Sequence, residues 1–108
     1  MATGYSFHPE ALLEYAEATQ YYLQVASVEV ADRVVQRVET AIGDCVMSPT
    51  RWRVVEAPEI RRYVLDRFPF VIYYRHEPPH DRVIIYPIMH CSRKPGYWRQ
   101  RTSSTPPE

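Results

Sequence analysis

The sequence predicts an α+β protein with a single domain over residues 1–101, in which an antiparallel helical hairpin packs on one face of a small antiparallel sheet. Two stretches with apolar residues at three- and four-residue steps come first, and three β-rich runs follow them. Short turn signals separate these runs, which predicts a three-stranded antiparallel meander. A short aromatic strand precedes the helices, so the predicted order is β-αα-βββ.

The first helix follows the predicted strand Gly4–Phe7. Pro9 opens it, because a proline at the first helical position forfeits no hydrogen bond and fixes a helical φ. Its buried stripe is predicted from apolar residues at helical spacing: Leu12, Tyr15, Ala16, Thr19, and Tyr22 or Leu23. The opposite, solvent-facing side carries three acids: Glu10, Glu14 and Glu17. The segment is therefore expected to be an amphipathic helix.

The second helix is expected to begin after Ser27, whose hydroxyl is suited to cap the first turn. Its apolar stripe has the same spacing: Val30 or Ala31, Val34, Val38, Ala41 or Ile42, and Cys45. It ends at about Met47, because the Ser-Pro dipeptide that follows disfavours helical backbone. The short connection between the two helices predicts that they are antiparallel.

The predicted meander consists of three strands, at residues 60–66, 70–76 and 82–90. The segment RFP makes the first connection and EPPHD makes the second. Pro87 interrupts the third strand, and because proline cannot donate to a ladder we expect a bulge or an open edge there. Tyr73 and Tyr74 should point to opposite faces, so that one is core and the other surface.

The remaining segments carry weaker signals. Residues 52–55 are a candidate short strand in the linker before the meander. Residues 91–101 are expected to form a loop or a short helix, in which Trp98 either packs on the sheet as a lid or stacks on a base. The last seven residues, 102–108, are rich in Ser, Thr and Pro, which predicts a disordered tail.

The charge of the chain is distributed unevenly along it. Residues 1–50 carry two Arg and seven Asp or Glu, whereas residues 51–101 carry eleven Lys or Arg and five Asp or Glu. The local net charges are −5 and +6, although the whole chain is formally neutral. This asymmetry predicts a polyanionic target or an acidic partner. Several cations could instead simply solvate the surface: Arg51, Arg53, Arg82 and Arg101.

Several classes of protein are excluded by composition. No segment approaches the roughly 20 apolar residues that span a bilayer, and the first residues lack the pattern of a secretory signal, so we expect a cytoplasmic protein. Cys45 and Cys91 are far apart and are expected to be reduced thiols. His76 and His80 have no further ligand at zinc spacing, and the three Gly do not form a phosphate-binding loop. We therefore expect neither a metal ion nor a cofactor.

Four local patterns occur in a specific order along residues 5–101. They are YSFHPEA at residues 5–11, RRY with RFPF at residues 61–70, VIYYR at residues 71–75, and IIYPIM followed by His and RKPGYW at residues 84–98. Together they make the chain resemble toxins of the RelE/ParE superfamily, which belong to type II toxin–antitoxin modules. The resemblance is closer to the ParE-type branch, whose members are also described as plasmid-stabilisation toxins.

The resemblance to the ParE branch implies a toxin of the bacterial stress response that inhibits DNA gyrase without a catalytic site of its own. It also implies a cognate antitoxin that wraps the toxin, as a helix in a groove or as an added strand. The residues expected to bind the target are cations and aromatics of the second half: Arg61, Tyr63, Arg93, Lys94, Tyr97, Trp98 and Arg99.

The resemblance to the RelE branch implies the alternative, a ribosome-dependent mRNA endoribonuclease. Its residues would be Arg61, His90, Arg93, Lys94 and Tyr97, with His90 as acid or base and the cations as phosphate clamps. His90 could equally be a solvent-facing or capping residue at a strand end. Phe70 occupies the position at which that branch places an Arg, and it cannot neutralise a phosphate. This difference favours the gyrase inhibitor. A second alternative is a diverged, inactive module that binds nucleic acid.

Overall fold

The computed structural model describes residues 2–94 and 96–103, and this part of the chain contains two helices and five strands. Strand β1 (Gly4–Phe7) leads into helices α1 (Pro9–Val25) and α2 (Val28–Met47). Four strands follow: β2 (Val54–Glu56), β3 (Ile60–Val64), β4 (Phe70–Glu77) and β5 (Arg82–His90). Short 3-10 helices lie at Pro78–His80 and Arg99–Ser103. The predicted α+β class and element order are confirmed.

The strands form one sheet in the order β1-β5-β4-β3-β2. The predicted antiparallel meander is its centre, formed by β3, β4 and β5. Strand β1 extends it on one side by pairing in parallel with β5, and β2 extends it on the other side antiparallel to β3. The candidate short strand of the linker therefore exists as β2, and the sheet is mixed rather than purely antiparallel.

Both faces of the sheet are covered. The helical hairpin packs on one face, as predicted, and buries a cluster that includes Val38, Ile42, Ile72 and Ile85. A second cluster on the other face contains Ile60, Val71, Ile84, Tyr86, Met89 and Trp98. Tyr74 is buried on the helix side, where its hydroxyl donates to the carbonyl of Pro49, while Tyr73 is partly buried on the opposite face. The predicted alternation of the two tyrosines is confirmed.

The expected irregularity at Pro87 is a β-bulge in β5. Ile72 pairs with Ile88 and Tyr74 pairs with Ile85, so Tyr86 and Pro87 together oppose a single residue of β4. A bulge accommodates a residue without an N–H and changes which face the following residues occupy. Consequently Ile88 belongs to the cluster under the helices, although Tyr86 belongs to the opposite one.

The apolar stripe of α1 differs from the prediction. Tyr15 and Tyr22 pack against the core, and Ala11 is fully buried. Leu12, however, is 53% exposed, and Glu14 has only 14% of its side chain exposed. The buried face of α1 thus includes Glu14, which the periodicity assigned to the solvent-facing side, and leaves out Leu12. The hydrogen-bond partners of the Glu14 carboxylate, in β5 and in the segment after it, explain the difference.

Two further predictions concern the C-terminal tail and membrane-spanning segments. Residues 102 and 103, expected to begin a disordered tail, lie in the last 3-10 helix. Residues 104–108 lie outside the described residues. No helix in the described part of the chain has both the length and the apolarity that a bilayer crossing requires.

The N-cap of α2 gives a first testable prediction. The hydroxyl of Ser27 accepts a hydrogen bond from the backbone N–H of Val30 at 3.1 Å. We expect Ser27→Ala to lower the free energy of unfolding by about 1 kcal/mol, because an N–H of the first turn loses its partner. Urea unfolding measures this change. Ser27→Asp, which keeps a capping oxygen, should remain close to the unaltered protein, and an equal loss in both variants would contradict the capping role.

The two cysteines give a second prediction. Both are free thiols; Cys45 is buried and Cys91 is exposed. Burial raises the pKa of the Cys45 thiol to about 12, so the reactive thiolate is scarce at pH 8. With a chromogenic disulfide reagent at pH 8, we expect the folded protein to react rapidly at Cys91 alone and at both thiols in denaturant. Rapid reaction of folded Cys91→Ser would contradict the burial of Cys45.

Candidate functional site

A buried carboxylate joins α1 to the bulged half of β5. Strand β1 pairs only with the first four residues of β5, so the backbone beyond them needs other partners. Glu14 Oε1 accepts from the backbone N–H of Ile88 at 3.2 Å, and Arg101 Nη1 donates to the carbonyl of Tyr86 at 2.9 Å. Arg101 also donates to both oxygens of Glu14, at 2.9 and 3.1 Å. The hydroxyl of Tyr97 donates to Glu14 Oε2.

Electrostatics keep this cluster in one protonation state. Burial lowers the pKa of the Arg101 guanidinium, but the hydrogen bonds and charge of Glu14 outweigh it, and the pKa lies above its ordinary value. Burial raises the pKa of Tyr97, and the hydrogen bond to Glu14 raises it further. Arg101 therefore stays charged and Tyr97 stays neutral near pH 7. A second carboxylate, that of Glu10, lies 3.2 Å from Arg101 Nε.

Trp98 lies as a lid on the sheet face that the helices leave open. Its side chain is 1% exposed, and its ring stacks on that of Tyr73 with centroids 4.5 Å apart. The next residue, Arg99, places its Nε 3.1 Å from both carboxylate oxygens of Glu56 on β2. The segment after β5 is thus fixed to the helix, to the sheet face and to the far edge strand. Of the two interpretations of Trp98, the structure has the packed one.

Arg93 and Lys94, in the segment between β5 and Tyr97, are exposed cations. The guanidinium of Arg93 lies 4.1 Å from the centre of the Tyr97 ring, a favourable cation–π geometry. His90 is partly buried beside them, with its ring edge against Phe70 at 5.4 Å. The Nδ1 atom of His90 accepts from the backbone N–H of Ser92 at 3.0 Å, which is the behaviour of a capping residue.

Arg61 and Tyr63 lie apart from these residues, on the helix side of β3. Arg61 donates to the carbonyls of Thr50 and Trp52, at 3.1 and 2.6 Å. The hydroxyl of Tyr63 donates to Asp44 Oδ2 at 2.7 Å, so both side chains bind the protein itself. Arg61 pairs with Tyr74 in the middle of β4, whereas His90 pairs with Phe70, the first residue of that strand. Four residue steps along β4, about 13 Å, separate these two pairing positions.

Phe70 lies in the floor of a cleft of about 600 Å³ between α1 and the end of β5. Its side chain is 5% exposed, and its ring contacts that of Tyr22 on α1. The cleft walls also include Tyr21, His90, Arg93 and Tyr97. Phe70 is therefore part of the core under the helices, and no cation stands at this position. Across residues 2–94 and 96–103 there is no cluster of three His, Cys, Asp or Glu side chains suited to a metal ion.

The predicted site residues fall into two groups. Arg93, Lys94, Tyr97, Trp98 and Arg99 lie together in and before the last 3-10 helix, whereas Arg61 and Tyr63 lie elsewhere on the sheet. Glu14 and Arg101, which join the first group to α1, were missed as site residues. Helical periodicity placed Glu14 with solvent, and Arg101 was grouped with surface cations. The sequence shows Glu14 as an acid in α1 and Arg101 as a cation after the last matching motif. Rules based on neighbouring residues cannot indicate that two residues so far apart in the chain form an ion pair.

Comparison with known proteins identifies the family. The family model described as "ParE toxin of type II toxin-antitoxin system, parDE" matches residues 5–95. A solved structure titled "Chromosomal ParDE TA system from P. aeruginosa" has a similar fold, with a TM-score of 0.69 and 21% identity over 83% of this chain and 96% of that chain. None of the curated proteins matches the chain. The chain belongs to the ParE toxin family of type II toxin–antitoxin systems.

Tyr63 gives a prediction for alkaline pH. Burial and the hydrogen bond to Asp44 raise its pKa to about 12, whereas an unfolded tyrosine ionises near pH 10. The folded state therefore retains a proton that the unfolded state releases, and this contribution to stability is complete below pH 10 and lost as pH rises toward 12. Tyr63→Phe should make the fall in unfolding free energy between pH 10 and 11.5 shallower. Urea unfolding measures it; the same substitution at exposed Tyr21 should leave the slope unchanged.

Proposed function

We propose that this ParE-family toxin inhibits DNA gyrase by binding it, and that a cognate antitoxin neutralises the toxin by covering the helical hairpin. One observation carries the choice of an inhibitor over an enzyme. Arg61, which a ribonuclease would use as a phosphate clamp, lies apart from His90 and Arg93, and the central position is the buried Phe70. An inhibitor that acts by binding needs no such centre.

The separation of Arg61 from His90 is unfavourable for the chemistry of RNA cleavage. That reaction requires a base for the 2′-hydroxyl, a positive charge on the phosphate and an acid for the leaving oxygen, all within hydrogen-bond reach of one nucleotide. Arg61 pairs with Tyr74 in the middle of β4, whereas His90 pairs with Phe70, the first residue of that strand. Arg61 is further occupied by two backbone carbonyls. These contacts support a structural role for Arg61 rather than a phosphate clamp.

The proposed target-binding surface is the group formed by Arg93, Lys94, Tyr97 and Arg99. Arg93 and Lys94 are exposed, so their charge is available to an acidic protein surface or to the DNA that gyrase holds. Trp98 supports this surface from beneath, because it is buried against Tyr73. Of the residues expected to bind the target, Arg61, Tyr63 and Trp98 are therefore assigned here to structural support.

The proposed antitoxin surface is the outward side of α1. Large apolar side chains on this helix are 42–61% exposed: Leu12, Leu13, Tyr21, Leu23 and Val25. Several large exposed apolar side chains on one helix are typical of a protein interface. The acidic composition of residues 1–50 further favours a partner segment that carries basic residues among apolar ones.

Gyrase assays with the purified chain test the proposed function. We expect loss of supercoiling and accumulation of linear DNA after detergent treatment, because a bound inhibitor traps the cleaved complex. Reversing charge in the double variant Arg93→Glu/Lys94→Glu should raise the half-inhibitory concentration about tenfold or more. The double variant Arg33→Glu/Arg82→Glu changes the charge by the same four units at two exposed positions outside this surface, so it is the matched control and should change the half-inhibitory concentration little.

Two outcomes would overturn the proposal. Unimpaired gyrase together with codon-spaced cuts in translated mRNA would identify an endoribonuclease instead. Unimpaired gyrase together with salt-sensitive affinity for bare DNA or RNA would identify a nucleic-acid-binding module.

A further inference from the structure

We infer that Glu14 is a positioning residue for the proposed target-binding surface: its carboxylate fixes Tyr97, and the ring of Tyr97 holds the guanidinium of Arg93. This inference rests on the proposed function, in which Arg93 contacts the target. It adds a residue on α1 that neither the family pattern nor the charge distribution indicated.

The first step is the fixed position of Glu14 itself. Glu14 lies in the second turn of α1, a 17-residue helix packed against the sheet. Its carboxylate accepts from the backbone N–H of Ile88 and from two nitrogens of Arg101. Because these donors belong to β5 and to the last 3-10 helix, three separate parts of the chain determine where the carboxylate sits. A carboxylate held this way is a rigid acceptor for a further donor.

The second step runs from Glu14 to Arg93 through Tyr97. A tyrosine hydroxyl has one hydrogen to donate, and that of Tyr97 goes to Glu14 Oε2. This bond fixes the orientation of the ring, whose centre lies 4.1 Å from the guanidinium carbon of Arg93. No ion pair of Arg93 is found in residues 2–94 and 96–103. The aromatic ring is thus the contact that orients this exposed cation.

The third step is that residues 96–103 have other attachments that do not involve Glu14. Trp98 stacks on Tyr73, and Arg99 pairs with Glu56. Loss of the carboxylate charge should therefore free Tyr97 and Arg93 while the sheet face stays covered. This separation makes a positioning role distinguishable from loss of the fold.

The test compares Glu14→Gln with Glu17→Gln, which removes the same charge from the same helix at an exposed position. We expect Glu14→Gln to raise the half-inhibitory concentration for gyrase about fivefold or more, and Glu17→Gln to change it less than twofold. Hydrogen exchange of residues 96–103 should be faster in Glu14→Gln, while exchange of the β4 amides should stay the same. Tyr97→Phe, which keeps the ring and loses the hydroxyl, should weaken inhibition as Glu14→Gln does.

The decisive measurement is the effect of Glu14→Gln in a Tyr97→Phe background. If Glu14 acts through the Tyr97 hydroxyl, Glu14→Gln leaves the half-inhibitory concentration of Tyr97→Phe unchanged. Additive losses would overturn the inference in favour of general destabilisation. Unchanged exchange in Glu14→Gln would overturn the anchoring of Tyr97. An unaltered protein that leaves gyrase active would overturn the proposed function, and the role of Arg93 with it, whatever the exchange result.

Discussion

The bonds of the Glu14 carboxylate determine how the sheet edge is completed beyond β1. An interior strand edge normally requires a neighbouring strand, because buried N–H and C=O groups without partners cost about 1–3 kcal/mol each. Beside the bulged half of β5, Glu14 supplies the acceptor for Ile88 and Arg101 supplies the donor for Tyr86. The ion pair between these two side chains holds both in place. Two side chains therefore do what the backbone of a longer β1 would do.

The second covered face follows from the same interaction. Arg101 reaches Glu14 only if the chain returns across the sheet after β5, and on that path Trp98 covers Ile60 and Tyr86. Arg99 then pairs with Glu56 on β2, at the opposite edge of the sheet from β1. A sheet with helices on one face exposes apolar residues on the other, and here the last segment buries them. Consequently, the segment after β5 both covers the second face of the sheet and places Arg93 at the surface.

Local rules predicted the parts of the fold that depend on local interactions. Pro9 at the start of α1 and Ser27 at the start of α2 follow from backbone chemistry and were found as predicted, and of the two alternatives predicted for Pro87 the structure has the bulge. The orientation of α1 was not predictable in this way, because helical spacing fits several adjacent stripes equally well. Glu14 turns inward since Arg101, 87 residues later in the chain, supplies its counter-charge. The parallel pairing of β1 with β5 is likewise non-local, and so is the distance between Arg61 and His90. The sequence therefore allowed prediction of which types of residue form the candidate site, but not of which of them lie together in space.

The ion pairs of the structure show which arginines of the basic second half already have partners within the protein. Arg75, Arg99 and Arg101 pair with carboxylates, and Arg61 binds backbone carbonyls. A cation held by a carboxylate contributes little to the field that attracts a polyanion. Glu56 and Glu77 are already subtracted in the net charge of +6 of residues 51–101, so among these pairs only that of Arg101 with Glu14 reduces the excess further. Arg93 and Lys94 place two exposed cations side by side at one end of β5, next to an apolar cleft. A local charge beside an apolar surface suits recognition of a folded protein better than tracking of a nucleic-acid backbone, which favours an extended row of unpaired cations.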